Sequence, residues 1–210
     1  MANCGTPNPI FRVRFLVPPP IISFPAKMAT LEIKKYPDSI LKKKCQEIKE
    51  ITPEIRELVL NMAETMLKNQ GIGLAAPQVG VLKRVIVVAT KRGVQGFINP
   101  KILRKSKETE LIAEGCLSFP GLYLRIKRPK WVEAEALDIY GKKIHLGQEE
   151  LLSGSSATDR YPTGVLLARV IQHEIDHLDG VLFIDRISFW QKLKIRKKLK
   201  EFEKAYGYHR

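Results

Sequence analysis

The stretch QHEIDHLDG, residues 172–180, constrains this chain more than any other. On a helix, His173 and His177 stand one turn apart on the same face, so both imidazoles can reach one cation. Leu166 and Val170 extend that stripe toward the N-terminus at spacings of four and three. The pattern predicts an amphipathic helix over 164–178, stopped by Gly180. The histidines lie on its buried edge, beside a core. Two satisfied core histidines would be the plainer explanation, but a pair at i and i+4 enclosing an acid points to a metal site. Glu174 is off the ligand stripe yet adjacent to His173, which makes it a candidate base for an attacking water. Asp176 and Asp179 are less well placed, as supporting or surface groups.

A catalytic metal site needs a third protein ligand and an open position for water. The chain offers three sources. Glu201 and Glu203 lie downstream, embedded in KKLKEFEK, where pairing with nearby lysines explains them as surface charge. His145, in a short strand candidate, and His209, near the C-terminus, are weak choices. Cys116 sits in EGCLSFPG, residues 114–121, and a thiolate beside two neutral imidazoles suits zinc or ferrous iron. Spacing alone leaves the choice open.

The other segments supply a scaffold. Tyr36-Pro37-Asp38-Ser39 reads as a turn. Thr52 as N-cap and Pro53 at the first helical position open a helix to about Lys68, with Ile55, Leu58, Met62 and Met66 as its core stripe. Residues 71–80 follow as a small-residue loop with Gln78 as an amide donor. Strands are expected near 85–88, 97–100, 112–119, 131–140 and 142–146, and a last helix over 188–206. Strands in the middle with helices around them, without regular βαβ alternation, give an α+β fold. A chain of 210 residues is long enough for one domain with its own core.

Three stretches together, GIGLAAPQ (71–78), EGCLS (114–118) and QHEIDH (172–177), resemble the three motifs of the peptide deformylases, complete and in that family's order. The similarity runs from about Met28 to the end, so residues 28–210 read as the catalytic domain. The resemblance implies an α+β fold of small mixed or antiparallel sheets packed around a central metal-binding helix, with a C-terminal helix. It implies that Cys116, His173 and His177 bind the metal. Ferrous iron is the family's usual ion, with zinc, nickel or cobalt as substitutes. The implied reaction is metal-dependent hydrolysis of the N-formyl group from the formyl-methionine end of nascent polypeptides, releasing formate. Glu174 would be the proton-transfer residue, and the Gln78 side chain and Leu117 backbone N–H would stabilise the oxyanion. Gly73 would hydrogen-bond the substrate backbone, and Ile72 would help line the methionine pocket.

Two segments depart from that pattern. Residues 1–27 contain no acidic residue and six prolines, and read as an extension: a targeting segment or a start upstream of Met28. Residues 147–163, GQEELLSGSSATDRYPT, read as an extra surface loop, with Thr163 placed to cap the metal helix.

Charge and cysteines bound the setting. The net charge of +14 attracts polyanions. Residues 187–210 hold eight Lys or Arg and two Glu, and the family's comparable basic helix suggests contact with the ribosome and its RNA. Ile195, Leu199, Phe202 and Tyr206 form the stripe by which that helix docks. Three cysteines without a CxxC pair argue for a reducing compartment, and Cys45 is a bystander. No apolar run is long enough for a membrane span. A cytoplasmic monomer is expected, or an organellar protein if residues 1–27 are a transit peptide. The rival readings are a ribosome-binding homologue with impaired catalysis and a zinc peptidase.

Overall fold

Helix α1, Pro53–Lys68, forms where the Thr-Pro opening and apolar spacing require it. Met62 and Met66 are fully buried, while Ile55 and Leu58 are partly covered. Thr52 occupies the N-cap position, but its side chain makes no capping hydrogen bond; Pro53 alone fixes the start. The computed structural model describes residues 29–90, 93–146 and 164–207. The expected extension 1–27, the expected surface loop 147–163 with Thr163, and His209 lie outside the described residues.

The strands are β1 Gly73–Ala75, β2 Val85–Thr90, β3 Gly93–Lys105, β4 Thr109–Cys116, β5 Phe119–Pro129, β6 Val132–Leu137 and β7 Lys143–Leu146. Two further helices follow, α2 Val165–Leu178 and α3 Phe189–Tyr206. Among the described residues, one sheet has the order β1-β2-β3-β6-β7, and β4 with β5 forms a second, two-stranded sheet. Every named strand pair is antiparallel.

Strand β2 explains the layering. Its residues are all buried because helices cover both faces of the sheet. Ile86 and Val88 join Val170, Ile171 and Ile175 of α2 in one core. Val85, Val87 and Ala89 point the other way and join Val59, Met62 and Met66 of α1. Alternate side chains of a strand face opposite ways, so an unbroken β-branched run needs two apolar partners. A third core lies under α3, where Phe119, Leu122, Phe183 and Phe202 meet.

The structure corrects several expected boundaries. The segment read as one strand over 112–119 is two: β4 ends at Cys116, a turn at Leu117 and Ser118 follows, and β5 begins at Phe119. Strand β3 is thirteen residues long, well beyond 97–100. The 71–80 loop contains β1 and a short 3-10 turn over Ala76–Val79. Leu166 is 41% exposed, because the N-terminal end of its stripe faces a cleft and not the core. Tyr206 is 44% exposed, so the docking stripe of α3 is effectively Ile195, Leu199 and Phe202.

Gly180 ends α2 with φ +74°, a left-handed conformation that L side chains adopt at a cost. A Cβ there would stand 2.5 Å from the Lys42 carbonyl oxygen. Gly180→Ala should therefore lower unfolding stability by roughly 2–4 kcal/mol in urea titrations.

Candidate metal centre

Three elements meet at one point. Strand β4 delivers Cys116 at its end, α2 delivers His173 and His177, and the 73–78 segment delivers Gly73 and Gln78. One thiol sulfur and two imidazole nitrogens, from Cys116, His173 and His177, lie within 4.8 Å of one another. Cys116 Sγ is 3.3 Å from His177 Nε2. Donors held about 2.1–2.3 Å from one tetrahedral ion stand about 3.5 Å apart, so the pair fits. Sulfur with two imidazoles suits zinc or ferrous iron over magnesium or calcium.

The other proposed third ligands are not at this point. His145 is exposed on β7, Glu201 is exposed on α3, and Glu203 faces the Tyr36 hydroxyl at 3.4 Å. Cys45 is buried at a distance from the cluster, and burial pushes its thiol up to about 11.

His173 is oriented from behind. Its Nδ1 lies 2.9 Å from Glu114 Oε2, which leaves Nε2 for an ion. Its imidazole is shifted well above its ordinary range: burial opposes the charge, but hydrogen bonding to Cys116 and Glu114 outweighs it. A bound cation would displace that proton. His177 goes the other way, pushed well down by burial and by the charges of His173 and Arg128. It is a neutral imidazole with a lone pair to give.

Glu114 is itself surrounded. Arg128 holds it in a fork, Nε to Oε1 at 2.6 Å and Nη2 to Oε2 at 3.0 Å. Arg169 Nη1 adds a bond to Oε1 at 2.6 Å. Arg128 Nη1 continues to Asp176 Oδ2 at 2.7 Å, and Asp176 also pairs with Arg186. Burial pushes the Glu114 carboxyl up, but bonds from His173 and Arg128, with Arg128's charge, outweigh it and hold it at about 2.

Glu114, Arg128 and Arg169 were not singled out from the sequence, although signals existed. Glu114 stands two residues before Cys116 and so shares its face on a strand. Arg169 stands four residues before His173, inside the helix's buried stripe. Asp176 is buried, as a supporting group, while Asp179 is a surface partner of Arg84 at 2.6 Å.

Glu174 is 4% exposed, and burial pushes its carboxyl up to about 7. Its Oε2 has no hydrogen-bond partner among the described residues. Gly73 leaves room for it: a Cβ at that position would fall on Glu174 Oε1 and 2.7 Å from Val170 Cγ1. Gln78 is 2% exposed. Its Oε1 accepts from the Ala75 N–H at 2.8 Å, which fixes the amide's orientation. Nε2 therefore faces Ser118 Oγ at 3.2 Å and Cys116 Sγ at 3.5 Å. Ile72 and Leu117 line the same cleft, a cavity of about 540 Å³ that also touches Cys116, His173 and Glu174. Ile72, Gly73, Gln78, Cys116, Leu117, His173 and Glu174 thus line one cleft, and His177 is buried next to it, its Nε2 3.3 Å from Cys116 Sγ.

Similarity to known proteins extends along most of the chain. The family model for polypeptide deformylase matches residues 30–193. The peptide deformylase of Thermodesulfovibrio yellowstonii is 49% identical over 178 residues, covering 82% of this chain and 98% of that protein. The crystal structure of Ehrlichia chaffeensis peptide deformylase in complex with actinonin is similar at a TM-score of 0.71 and 36% identity, covering 84% of this chain and 99% of that one. Arabidopsis thaliana peptide deformylase 1B in complex with an inhibitor gives a TM-score of 0.73 and 37% identity, covering 84% of this chain and 92% of that one.

The buried carboxylate sets an acid limit on stability. Because Glu114 is held at about 2 against an ordinary 4.5, its contribution is complete above pH 4.5 and is lost as pH falls toward 2. The shift corresponds to about 3 kcal/mol. Glu114→Gln should be less stable at pH 7 by roughly 3–5 kcal/mol, since it leaves the buried Arg169 without its acidic partner and Arg128 with Asp176 alone. Its stability should also change less between pH 4.5 and 2 than the parent's, in urea unfolding at stepped pH.

Proposed function

The chain belongs to the polypeptide deformylase family, hydrolases that remove the N-formyl group from new polypeptides, and from that membership we propose how its residues divide the work. Cys116, His173 and His177 hold a divalent metal, and we assign ferrous iron as the working ion, with zinc, nickel or cobalt as substitutes. The observation that carries this reading is the convergence of those three donors beside the buried, partnerless carboxylate of Glu174. When bound, such an ion supplies Lewis acidity toward a carbonyl and lowers the pKa of water.

The chain's own groups do the rest. Glu174, poised near neutrality by burial, takes a proton from the attacking water and returns it to the departing amine. The amide of Gln78, turned by its bond to Ala75, and the Leu117 N–H donate to the oxyanion as it develops. Strand β1 is the sheet's edge, paired to β2 on one side, so Gly73 offers backbone groups to an extended peptide. Ile72, 39% exposed at the cleft, contacts the methionine side chain.

The same reading covers the chain's organisation and setting. Residues 28–210 form the catalytic unit, with 147–163 an insertion and 1–27 an extension. Among the described residues no helix is long and apolar enough to cross a membrane. The protein works as a cytoplasmic monomer, or in an organelle if 1–27 is a transit peptide. Helix α3 carries its lysines outward and meets ribosomal RNA.

Anaerobically prepared, ferrous-loaded protein should release formate from a formyl-Met tripeptide and nothing from the acetylated control. Glu174→Gln should lose about 10²–10⁴-fold in kcat while keeping its metal. Air exposure should lower the iron form's activity by oxidising the thiolate. Absence of formate from folded, metal-replete protein would sink the assignment. Cleavage of internal peptide bonds would point to a peptidase instead. Ribosome binding should weaken steeply with salt and disappear without residues 187–210; salt-independent binding would refute the tail's role.

A further inference from the structure

The segment before the first turn crosses the two loops that carry the oxyanion donors. The Lys34 N–H donates to the Gln78 carbonyl oxygen at 2.7 Å. The Tyr36 N–H donates to the Ser118 carbonyl oxygen at 3.0 Å. Between them, Lys35 turns its side chain into the cleft, where its Nζ donates to the Leu117 carbonyl oxygen at 2.6 Å. The Tyr36 ring stacks on Phe119, centroids 5.0 Å apart, and pins the far side of the same turn.

We propose that Lys35 is a positioning residue for the oxyanion site, fixing the Leu117–Ser118 turn through the Leu117 carbonyl and placing a positive charge beside the developing anion. This deepens the deformylase reading and rests on it.

The physics is local. The Leu117 N–H and the Leu117 carbonyl lie in successive peptide planes joined at one Cα, so holding the carbonyl plane restrains the neighbouring plane that carries the N–H. Cys116 anchors one side of the turn from the end of β4. With the carbonyls of Leu117 and Ser118 both held by the 34–36 segment, the other side is anchored too. Preorganised donors cost no reorganisation when charge develops, which is where rate is gained. A half-buried ammonium also acts through a lower dielectric than a surface one. Gln78, the other donor, is tied to the same segment through its own carbonyl, so one strand of chain sets the spacing of both donors. Lysine is suited to this task by its compact, three-donor head on a flexible stem. One donor holds Leu117 while the charge stays in the cleft.

The test compares Lys35→Met, which keeps length without charge or donor, with Lys35→Arg, which keeps both. Each ferrous-loaded holoenzyme is assayed on a formyl-Met tripeptide for kcat and KM separately, with metal content and Tm measured alongside. Lys35→Met should lose about 10-fold in kcat, with KM within about twofold and with metal and Tm unchanged. Lys35→Arg should recover most of that loss. If Lys35→Met lowers Tm or metal content, Lys35→Gln, a neutral donor, tests the charge alone: a kcat loss at unchanged KM supports the proposal, and parental kcat overturns it. Parental kcat in Lys35→Met would overturn the proposal, and so would a loss confined to KM. A kcat loss that arginine does not relieve would overturn it as well. These failures leave wild-type formate release intact, whereas absence of release by the wild type would bring down the deformylase reading and this proposal together.

Discussion

The carboxylate of Glu114 is the point on which the site depends. It is buried, and it accepts from Arg128, Arg169 and His173 at once. Those partners come from β5 and α2, while Glu114 comes from β4. One ion cluster therefore locks the two-stranded sheet to the metal helix. Burying charge is costly, and a buried pair is weak evidence of net stabilisation. What the cluster provides is orientation. Arg128 and Arg169 both donate to Glu114, and the same carboxylate engages His173 Nδ1, which leaves Nε2 for the donor cluster. Asp176 extends the network to Arg186 beyond the helix, so α2 is held against rotation about its axis.

That rotational hold matters because α2 has two duties along one stripe. Val170, Ile171 and Ile175 must face the sheet, and His173 and His177 must face Cys116. Apolar packing alone tolerates small slides and rolls of a helix, since dispersion contacts are non-directional. Bonds of the kind Glu114 makes do not. The division of labour follows: the two apolar cores fix where the helix lies, and the ion cluster fixes how it is turned. Gly73 adds a steric condition from the opposite wall, because any side chain there would occupy the space of the Glu174 carboxylate.

How much of this was legible in sequence follows from how local each signal is. Helix α1 and the metal helix announce themselves by spacing, and the turn at Gly180 by composition. Cys116 and the two histidines could be joined only through the resemblance to a known family, since spacing left His145, Glu201 and Glu203 as rivals. Strand β5 was missed because Arg125, Lys127 and Arg128 make it look solvated on both faces. Arg125 and Lys127 are indeed exposed, but Arg128 points inward to acids contributed by β4 and α2. A buried cation is invisible until its partners are placed. Strand β1 was hidden by its glycine, which reads as loop and serves as clearance.

The C-terminal helix, read from sequence as a docking tail, reaches the same turn that Lys35 holds. Phe202 meets the edge of Phe119 with centroids 5.7 Å apart, and Phe119 is the residue that starts β5 after Leu117 and Ser118. Lys198 Nζ donates to the Gly121 carbonyl oxygen at 2.6 Å, and Glu203 accepts from the Tyr36 hydroxyl. The turn is thus gripped on one side by the 34–36 segment and on the other by α3. Because Tyr36 belongs to the first and bonds to the second, the two grips are one continuous contact. Half of α3 faces solvent with lysines and the other half supports the wall that carries Leu117. The lysine-rich, solvent-facing side of α3 and the side that supports the Leu117 wall are therefore different faces of one helix, and its apolar stripe serves the cleft as well as the core.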